Sequence, residues 1–287
     1  MLLATSRVVS CIRAMVAARF PRLRWTFSSL GCPECDLDGL FATAKRYGLE
    51  SVELRAVEGS IDVPGWLRRR FESPEAFAAH VAGAGVRIAS LDTSLRMIDG
   101  DAAAREKLLE FLPWAEALGG VPLRVFDGGS TWGTESRVAA AAAMAWWDER
   151  RTGEGWRSEW IVETHDCLFD ADSIVACMED APKSVRILWD THHTWKRGGE
   201  NPTATWARIR KWVRHVHVKD SVSRPSGRHP FSYVFLGDGE FPLQETLSVL
   251  ERDGYASPVS LEWERMWHPE LPSLEAALER GRQDGWV

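Results

Sequence analysis

Three absences narrow the field before any motif is read. Basic charge is not in excess: Lys+Arg number 35 against Asp+Glu 41, a net charge of −6. Such a chain has no global basic field to hold a nucleic acid backbone, so no nucleic acid partner is expected. No apolar stretch approaches the ~18 residues needed to cross a bilayer, so no membrane partner is expected either. Cysteine is sparse and odd in number: Cys11, Cys32, Cys35, Cys167 and Cys177. In a chain of 287 residues this argues against a disulfide framework and for a reducing compartment, the cytoplasm. Cys32-Pro33-Glu34-Cys35 is a lone CxxC, weak as a redox motif and lacking the second pair that a structural zinc site needs.

What is present is ordinary globular composition, 45% hydrophobic and 26% charged, which excludes a disordered or fibrous chain. Tryptophan is abundant, with 15 residues, and implies a sizeable packed core or an aromatic-lined pocket. Residues 1–24 stand apart. They carry Arg7, Arg13, Arg19, Arg22 and Arg24, with no acid before Glu34. Arginines interrupt any signal-like apolar core, so this stretch reads as a disordered extension or a mis-assigned start, with Met15 as an alternative initiator. One domain is expected over residues 25–287.

From Trp25 onward, short apolar runs alternate with helical patterns. The runs are Trp25–Ser29, Ser51–Arg55, Arg87–Asp92, Pro122–Asp127, Glu159–Thr164, Val185–Asp190, Arg214–Lys219 and Val259–Glu264. Few polar interruptions and no hairpin turns suit parallel strands covered by helices. The helix patterns are Asp36–Tyr47, one opening at Ser73-Pro74-Glu75, Ala102–Leu118, Glu135–Arg151, Asp170–Met178, one opening at Asn201-Pro202, Pro242–Asp253 and Ser273–Arg280. Several begin with a capping side chain. Eight strand–helix units in one chain of this length predict an α/β fold, a single-domain (β/α)8 TIM barrel. A doubly wound sheet is the second option, but no glycine-rich phosphate loop follows the first strand.

A barrel of this kind carries its chemistry at the C-terminal ends of its strands. Four neighbouring strands end in Glu163-Thr164-His165, Asp190-Thr191-His192-His193, His215-Val216-His217-Val218-Lys219-Asp220 and Glu262-Trp263-Glu264. Charged groups in apolar strands are costly unless paired or bound to a cation. Glu163, Asp190, His217 and Glu262 are therefore the expected ligands of one divalent metal ion. Three carboxylates and one imidazole suit Mn2+ or Mg2+, with Co2+, Fe2+ and Zn2+ compatible. His215, His217 and Lys219 share one face of their strand; His217 is nearer the mouth. Glu264 is expected at the rim. His165 is balanced between a loop and a site role, His192 is expected to face solvent, and Asp220 to close a turn. His80 and His268 are expected to be structural. Trp66, Trp132 and Trp195 are candidates for pocket lining or core, and Arg224 and Arg228 for a phosphate subsite or plain surface.

In their order and spacing these segments resemble the xylose isomerase-like barrel superfamily of sugar (phosphate) isomerases and epimerases, which also includes endonuclease IV. The resemblance runs from Trp25 to about Arg280 and includes Leu30-Gly31-Cys32-Pro33, Val52-Glu53-Leu54-Arg55 and Leu236-Gly237-Asp238-Gly239. It implies the same four metal ligands, with Glu163 and Glu262 also serving as catalytic acid and base. It makes His193 a group that contacts substrate or supports a ligand. The strand ends Leu91-Asp92-Thr93-Ser94 and Phe126-Asp127-Gly128 lack the extra histidines of endonuclease IV, and no Asp-x-His follows strand 7. A zinc-cluster nuclease is therefore disfavoured. The expected activity is a metal-dependent isomerase or epimerase that moves a proton next to a carbonyl of a sugar, sugar phosphate or keto-polyol. In it His193, Lys219 and Arg55 steady substrate oxygens. The alternative is a dehydratase of the inosose or dehydroshikimate type, with His165 as acid. A barrel without turnover is a further option, and the sequence is compatible with a homo-oligomer.

Overall fold

The computed structural model describes residues 18–287. Its strands are β1 (Arg24–Phe27), β2 (Ser51–Leu54), β3 (Arg87–Arg96), β4 (Leu123–Phe126), β5 (Trp160–Glu163), β6 (Val185–Asp190), β7 (Val213–Val218), β8 (Asp220–Val222), β9 (Ser232–Val234) and β10 (Pro258–Leu261). Eight of them pair in the order β1-β10-β7-β6-β5-β4-β3-β2, every pair parallel. A parallel bridge between Ser28 and Glu53 brings the two end strands together and nearly closes the ring. The predicted (β/α)8 barrel is the fold.

Between the strands run α1 (Leu37–Tyr47), α2 (Val63–Arg70), α3 (Pro74–Ala84), α4 (Ala102–Leu109), α5 (Leu112–Ala117), α6 (Thr134–Glu154), α7 (Ala171–Met178), α8 (Thr191–Lys196), α9 (Pro202–Ile209), α10 (Leu243–Arg252) and α11 (Leu274–Gln283). Side chains at the starts read from the sequence do cap: Asp36 accepts from the Gly39 amide, Ser73 from Ala76, Asp101 from Ala104 and Asp170 from Ser173. Each satisfies an amide that the first helical turn leaves free. The pattern read as one helix over Ala102–Leu118 is broken into α4 and α5. Pro113 has no amide hydrogen to bond the Leu109 carbonyl, and its ring crowds that carbonyl. The short helices α2 and α8 were not legible in the apolar spacing.

Most of the large apolar side chains sit between the ring and the helices. Trp147 of α6 stacks on Trp160 of β5 with ring centroids 5.0 Å apart. Trp189 of β6 stacks on Trp206 of α9 at 5.8 Å. These four indoles are buried, so much of the tryptophan serves packing.

Residues 1–17, with Arg7, Arg13 and the alternative start at Met15, lie outside the described residues. The remainder of the stretch set apart in the sequence joins the fold. Phe20 and Leu23 are buried, and Arg22 Nε lies 2.9 Å from Glu251 Oε1. The cysteine reading also changes. The tight turn after β1 brings Cys32 and Cys35 to a Cα separation of 5.5 Å, joined as a disulfide, while Cys167 and Cys177 are buried thiols. No described helix is long and apolar enough to cross a membrane.

The expectation of a chain without hairpins fails after β7. There β8 and β9 form an antiparallel pair, with Ser221 opposite Tyr233. Asp220 organises this excursion, in keeping with its expected turn-closing role. Its carboxylate accepts from the amides of Ser221, Gly237, Gly239 and Phe241 at 2.8 to 3.0 Å. Gly239 packs so tightly on that carboxylate that a Cβ has no room. Two stability outcomes follow from the packing and from this pin. Trp147→Ala should cost about 3–5 kcal/mol in denaturant unfolding. Asp220→Asn sets an amide NH2 against amide donors and should cost about 2–3 kcal/mol. A loss below about 1 kcal/mol in either variant contradicts the packing described.

Candidate metal centre and active site

Glu163 and Asp190 are the last residues of β5 and β6, His217 lies in β7, and Glu262 follows β10. Each offers an atom to one cluster, all within 4.8 Å of one another, and all four side chains are buried. Local structure explains the aim of each. Asp190 caps α8: its Oδ1 accepts from the amides of His192 and His193 at 2.9 and 3.0 Å, which turns Oδ2 toward the centre. His217 is held from behind. Its Nε2 lies 2.7 Å from Glu53 Oε2, and the same oxygen is 2.9 Å from His215 Nε2. A carboxylate there accepts a hydrogen bond from Nε2–H and turns Nδ1 toward the cluster, where it can ligate an ion once it carries no proton. That Nδ1 is 3.3 Å from Glu262 Oε2 and 3.8 Å from Glu163 Oε1.

The cluster fits a cation. Glu163 Oε2, Asp190 Oδ2 and His217 Nδ1 are buried and make no hydrogen bond of sound geometry. Lys219 Nζ is 2.8 Å from Asp190 Oδ2, a charge contact without the angle of a hydrogen bond. Charge points the same way. Among the described residues, the carboxylates Glu53, Asp92, Glu163, Asp190, Glu262 and Glu264 have Arg55, Arg124 and Lys219 as their buried permanent cations. Burial works against charge on His217, yet Glu262 and Glu53 hold its imidazole well above the ordinary range. Lys219 is likewise held well above its ordinary value, against burial, by Asp190, Glu262 and Glu264. Burial itself pushes Asp190 up to about 6. The His217 and Lys219 shifts reflect a local excess of buried carboxylate, and a divalent ion with oxygen ligands and one imidazole would offset it.

A cavity of about 280 Å3 opens over the cluster, and Glu163, Glu262, Glu264, Arg55, Arg124 and His165 are among the residues that line it. Of the expected substrate contacts, Arg55, His165 and Lys219 border this cavity. Lys219 is already engaged, with Nζ 2.5 Å from Glu262 Oε2 and 2.6 Å from Glu264 Oε1. His165 Nδ1 lies 3.1 Å from Asp166 Oδ1. His193 stands behind His165, ring centroids 4.8 Å apart, with Nδ1 3.2 Å from Asp190 Oδ2. It stands against Asp190 rather than bordering the cavity.

Several expectations are corrected. His192 does not face solvent: it is fully buried, with Nε2 2.8 Å from Ser221 Oγ, because the β8–β9 excursion and Phe231 cover it. Trp66, Trp132 and Trp195 do not border the cavity; Trp267 does. Trp66 donates to Glu58, and Trp195 packs on His192 and Phe241. Arg228 borders the cavity, Arg224 does not, and His268, expected to be structural, does. His80 pairs with Asp38 at 2.9 Å away from the site.

Three buried residues given no role on sequence grounds are Glu53, Asp92 and Arg124; His215, weighed there against His217, is buried with them. Arg124 Nε lies 3.3 Å from Glu163 Oε2 and 3.7 Å from Asp92 Oδ2. The available signal was a charged residue alternating with apolar ones, as in Ser51-Val52-Glu53-Leu54 and Leu123-Arg124-Val125. Asp127 supports the site from outside, accepting from the amides of Asp166, Cys167 and Leu168 at 2.7 to 2.9 Å and so fixing the loop that carries His165.

Residues 41–283 match the family model described as xylose isomerase-like TIM barrel. No curated protein sequence matches the chain. Among solved structures it is similar to the probable 3-DHS dehydratase AsbF of Bacillus anthracis, at 17% identity over 90% of this chain and 98% of that one, TM-score 0.73. It is similar to an IolI protein with a bound zinc atom, at 16% identity over 92% and 98%, TM-score 0.72. It is also similar to the 3-keto-D-glucoside 4-epimerase YcjR of E. coli, at 14% identity over 92% and 97%, TM-score 0.64. At these identities the likeness to solved structures is one of fold. The family match spans most of the barrel and takes in all four cluster residues, and the chain belongs to the xylose isomerase-like TIM barrel family.

Proposed function

We propose that this protein is a divalent-metal-dependent isomerase or epimerase that moves a proton at the carbon beside a carbonyl of a ketose or keto-polyol. One observation carries the reading. The donor atoms of Glu163, Asp190, His217 and Glu262 converge within 4.8 Å, and both glutamates border the same cavity. An ion held by these four residues would offer positive charge to a carbonyl oxygen on which negative charge develops.

The chain's own residues supply the rest. A C–H beside a carbonyl is too weak an acid for a carboxylate free in water. A cavity that fixes the substrate against that carboxylate removes much of the entropic cost. Glu163 and Glu262 come from different strands, so one can take the proton and the other return it to the opposite side of the carbon. Lys219 holds Glu262 in place, and Arg124 lies beside Glu163. Positioned acid–base groups of this kind contribute about 10²–10⁴-fold each.

One observation favours a second reading, a dehydratase. His165 borders the cavity and has an atom in a close group with Glu163. Burial works against its charge, yet Asp166 and Glu163 hold the imidazole above its ordinary value. A protonated imidazole beside the base is placed to give a proton to a departing hydroxyl.

Incubation with neutral and acidic ketoses in D2O and Mn2+ separates the readings. Deuterium entering at carbon without loss of water is the expected result, whereas loss of water, abolished in His165→Asn, supports the dehydratase. Exchange and elimination both failing with every ketose contradict the proposal. Glu163→Gln should lower turnover about 10²–10⁴-fold while its circular dichroism stays that of the parent. Activity within a few-fold of the parent removes Glu163 from the chemistry.

A further inference from the structure

His268 brings to the cavity a ring nitrogen that neither the ion cluster nor the fold uses. It lies in the loop between β10 and α11, is buried, and borders the cavity beside Trp267 and His229. Its Nδ1 stands 3.3 Å from Oε1 of Glu270, an exposed carboxylate. That contact turns Nε2 the other way, inward, where it is buried without a hydrogen-bond partner. A carboxylate can only accept, so in the neutral ring Nδ1 carries the hydrogen and Nε2 offers a lone pair. The ring is held in this pose. Tyr233 packs on it edge to face with centroids 5.2 Å apart, and the His229 ring lies at 5.3 Å. The loop is held too: the Trp267 and His268 amides both donate to the Glu264 carbonyl, and the Met266 amide donates to that of Leu30. A buried polar atom without a partner is a cost to the fold alone, and at the wall of a cavity it marks a group kept for a ligand.

We propose that His268 is a substrate-binding residue that selects for a polyhydroxylated chain: its Nε2 accepts a hydrogen bond from a hydroxyl farther along the ketose than the two beside the carbonyl. The proposal rests on the proton-transfer reading of the cluster and adds to it a residue that sets specificity. A chain of contacts places the ring away from the ion site. His268 packs on Tyr233, whose hydroxyl donates to Glu264 Oε1 at 2.8 Å, and Glu264 in turn meets Lys219, the partner of Asp190 and Glu262. The group that answers a lone pair is a donor. Glu264 and Glu270 on either side of the ring favour a neutral hydroxyl over an anion, and Arg228, exposed at the same wall, has Glu270 as its counter-charge. Trp267 beside it gives the C–H face of a sugar an apolar surface to lie on. A site built to bond a hydroxyl discriminates strongly against a molecule that lacks it, because the buried nitrogen is then left unpaired.

Calorimetric binding to the Mn2+-equilibrated protein tests this with two kinds of probe. One is the tightest binder among the ketohexoses D-fructose, D-tagatose and L-sorbose. The other is dihydroxyacetone, which has no hydroxyl beyond those beside its carbonyl. His268→Phe keeps the shape of the ring and removes the nitrogen. It should weaken the ketohexose about tenfold or more and leave dihydroxyacetone within about twofold of the parent. His268→Gln, whose amide can set an oxygen near the place of Nε2, should recover part of the loss. Glu270→Ala, a surface change that frees Nδ1, should give a smaller loss of the same selectivity and carries the test if His268→Phe does not fold. A ketohexose bound as tightly by these variants as by the parent, equal losses for both probes, or a parent that binds no ketohexose overturns the proposal. Deuterium exchange is followed on the same samples. Selective binding without exchange keeps the hydroxyl contact and sinks the proton-transfer reading; exchange with unselective binding does the reverse.

Discussion

Carboxylates buried inside a ring of apolar strands must be matched by positive charge, and the mouth of this barrel is built around that requirement. Glu163, Asp190 and Glu262 converge, buried, at the floor of the cavity. Their mutual repulsion in a medium of low polarity would separate them or protonate them unless cations stood close. Lys219 is drawn in among Asp190, Glu262 and Glu264, and His217 is held toward its charged form. The strands supply the rigidity that keeps the acids together. Ladder hydrogen bonds fix each strand end, and the indole stacks behind β5 and β6 fix the strands against their helices.

Support for the cluster comes from outside it. Asp190 both caps α8 and faces the centre, so the start of one helix sets the direction of one ligand. Glu53 reaches across the nearly closed ring to orient His217 and His215 together. Asp127 and Asp220 sit a layer further out, each gathering amides of a loop that borders the site. These carboxylates do different work with one property, the ability to accept several hydrogen bonds while carrying charge. Arg124 stands beside Glu163 and Asp92, and Arg55 donates to Ser94, so the buried arginines join Lys219 in offsetting the acids.

The alternation of strands and helices was legible because each strand is an apolar run and many helices open on a capping side chain. The cluster was legible because an acid or histidine closes each of four apolar strands. What stayed hidden depended on partners far apart in the chain. His217 and Glu53 are separated by 164 residues, and only ring closure brings β2 beside β1 and across from β7. Arg124 reads as an interruption of an apolar strand until Asp92 and Glu163 are placed on either side. His192 looked exposed because the hairpin that covers it lies in a loop rich in Ser, Gly and Pro, where apolar periodicity carries no signal. Pro113 was readable in principle: a helix interior does not tolerate it, and α4 ends before it.

The most direct test of the account is a titration of metal-stripped protein with Mn2+, followed by calorimetry and by the electron paramagnetic resonance of the free ion. One ion should bind per chain, and Asp190→Asn and His217→Asn should each weaken binding by more than about tenfold, since each removes one member of the ligand set. No uptake by the parent protein, or uptake that neither substitution changes, would mean that these side chains are gathered for another purpose.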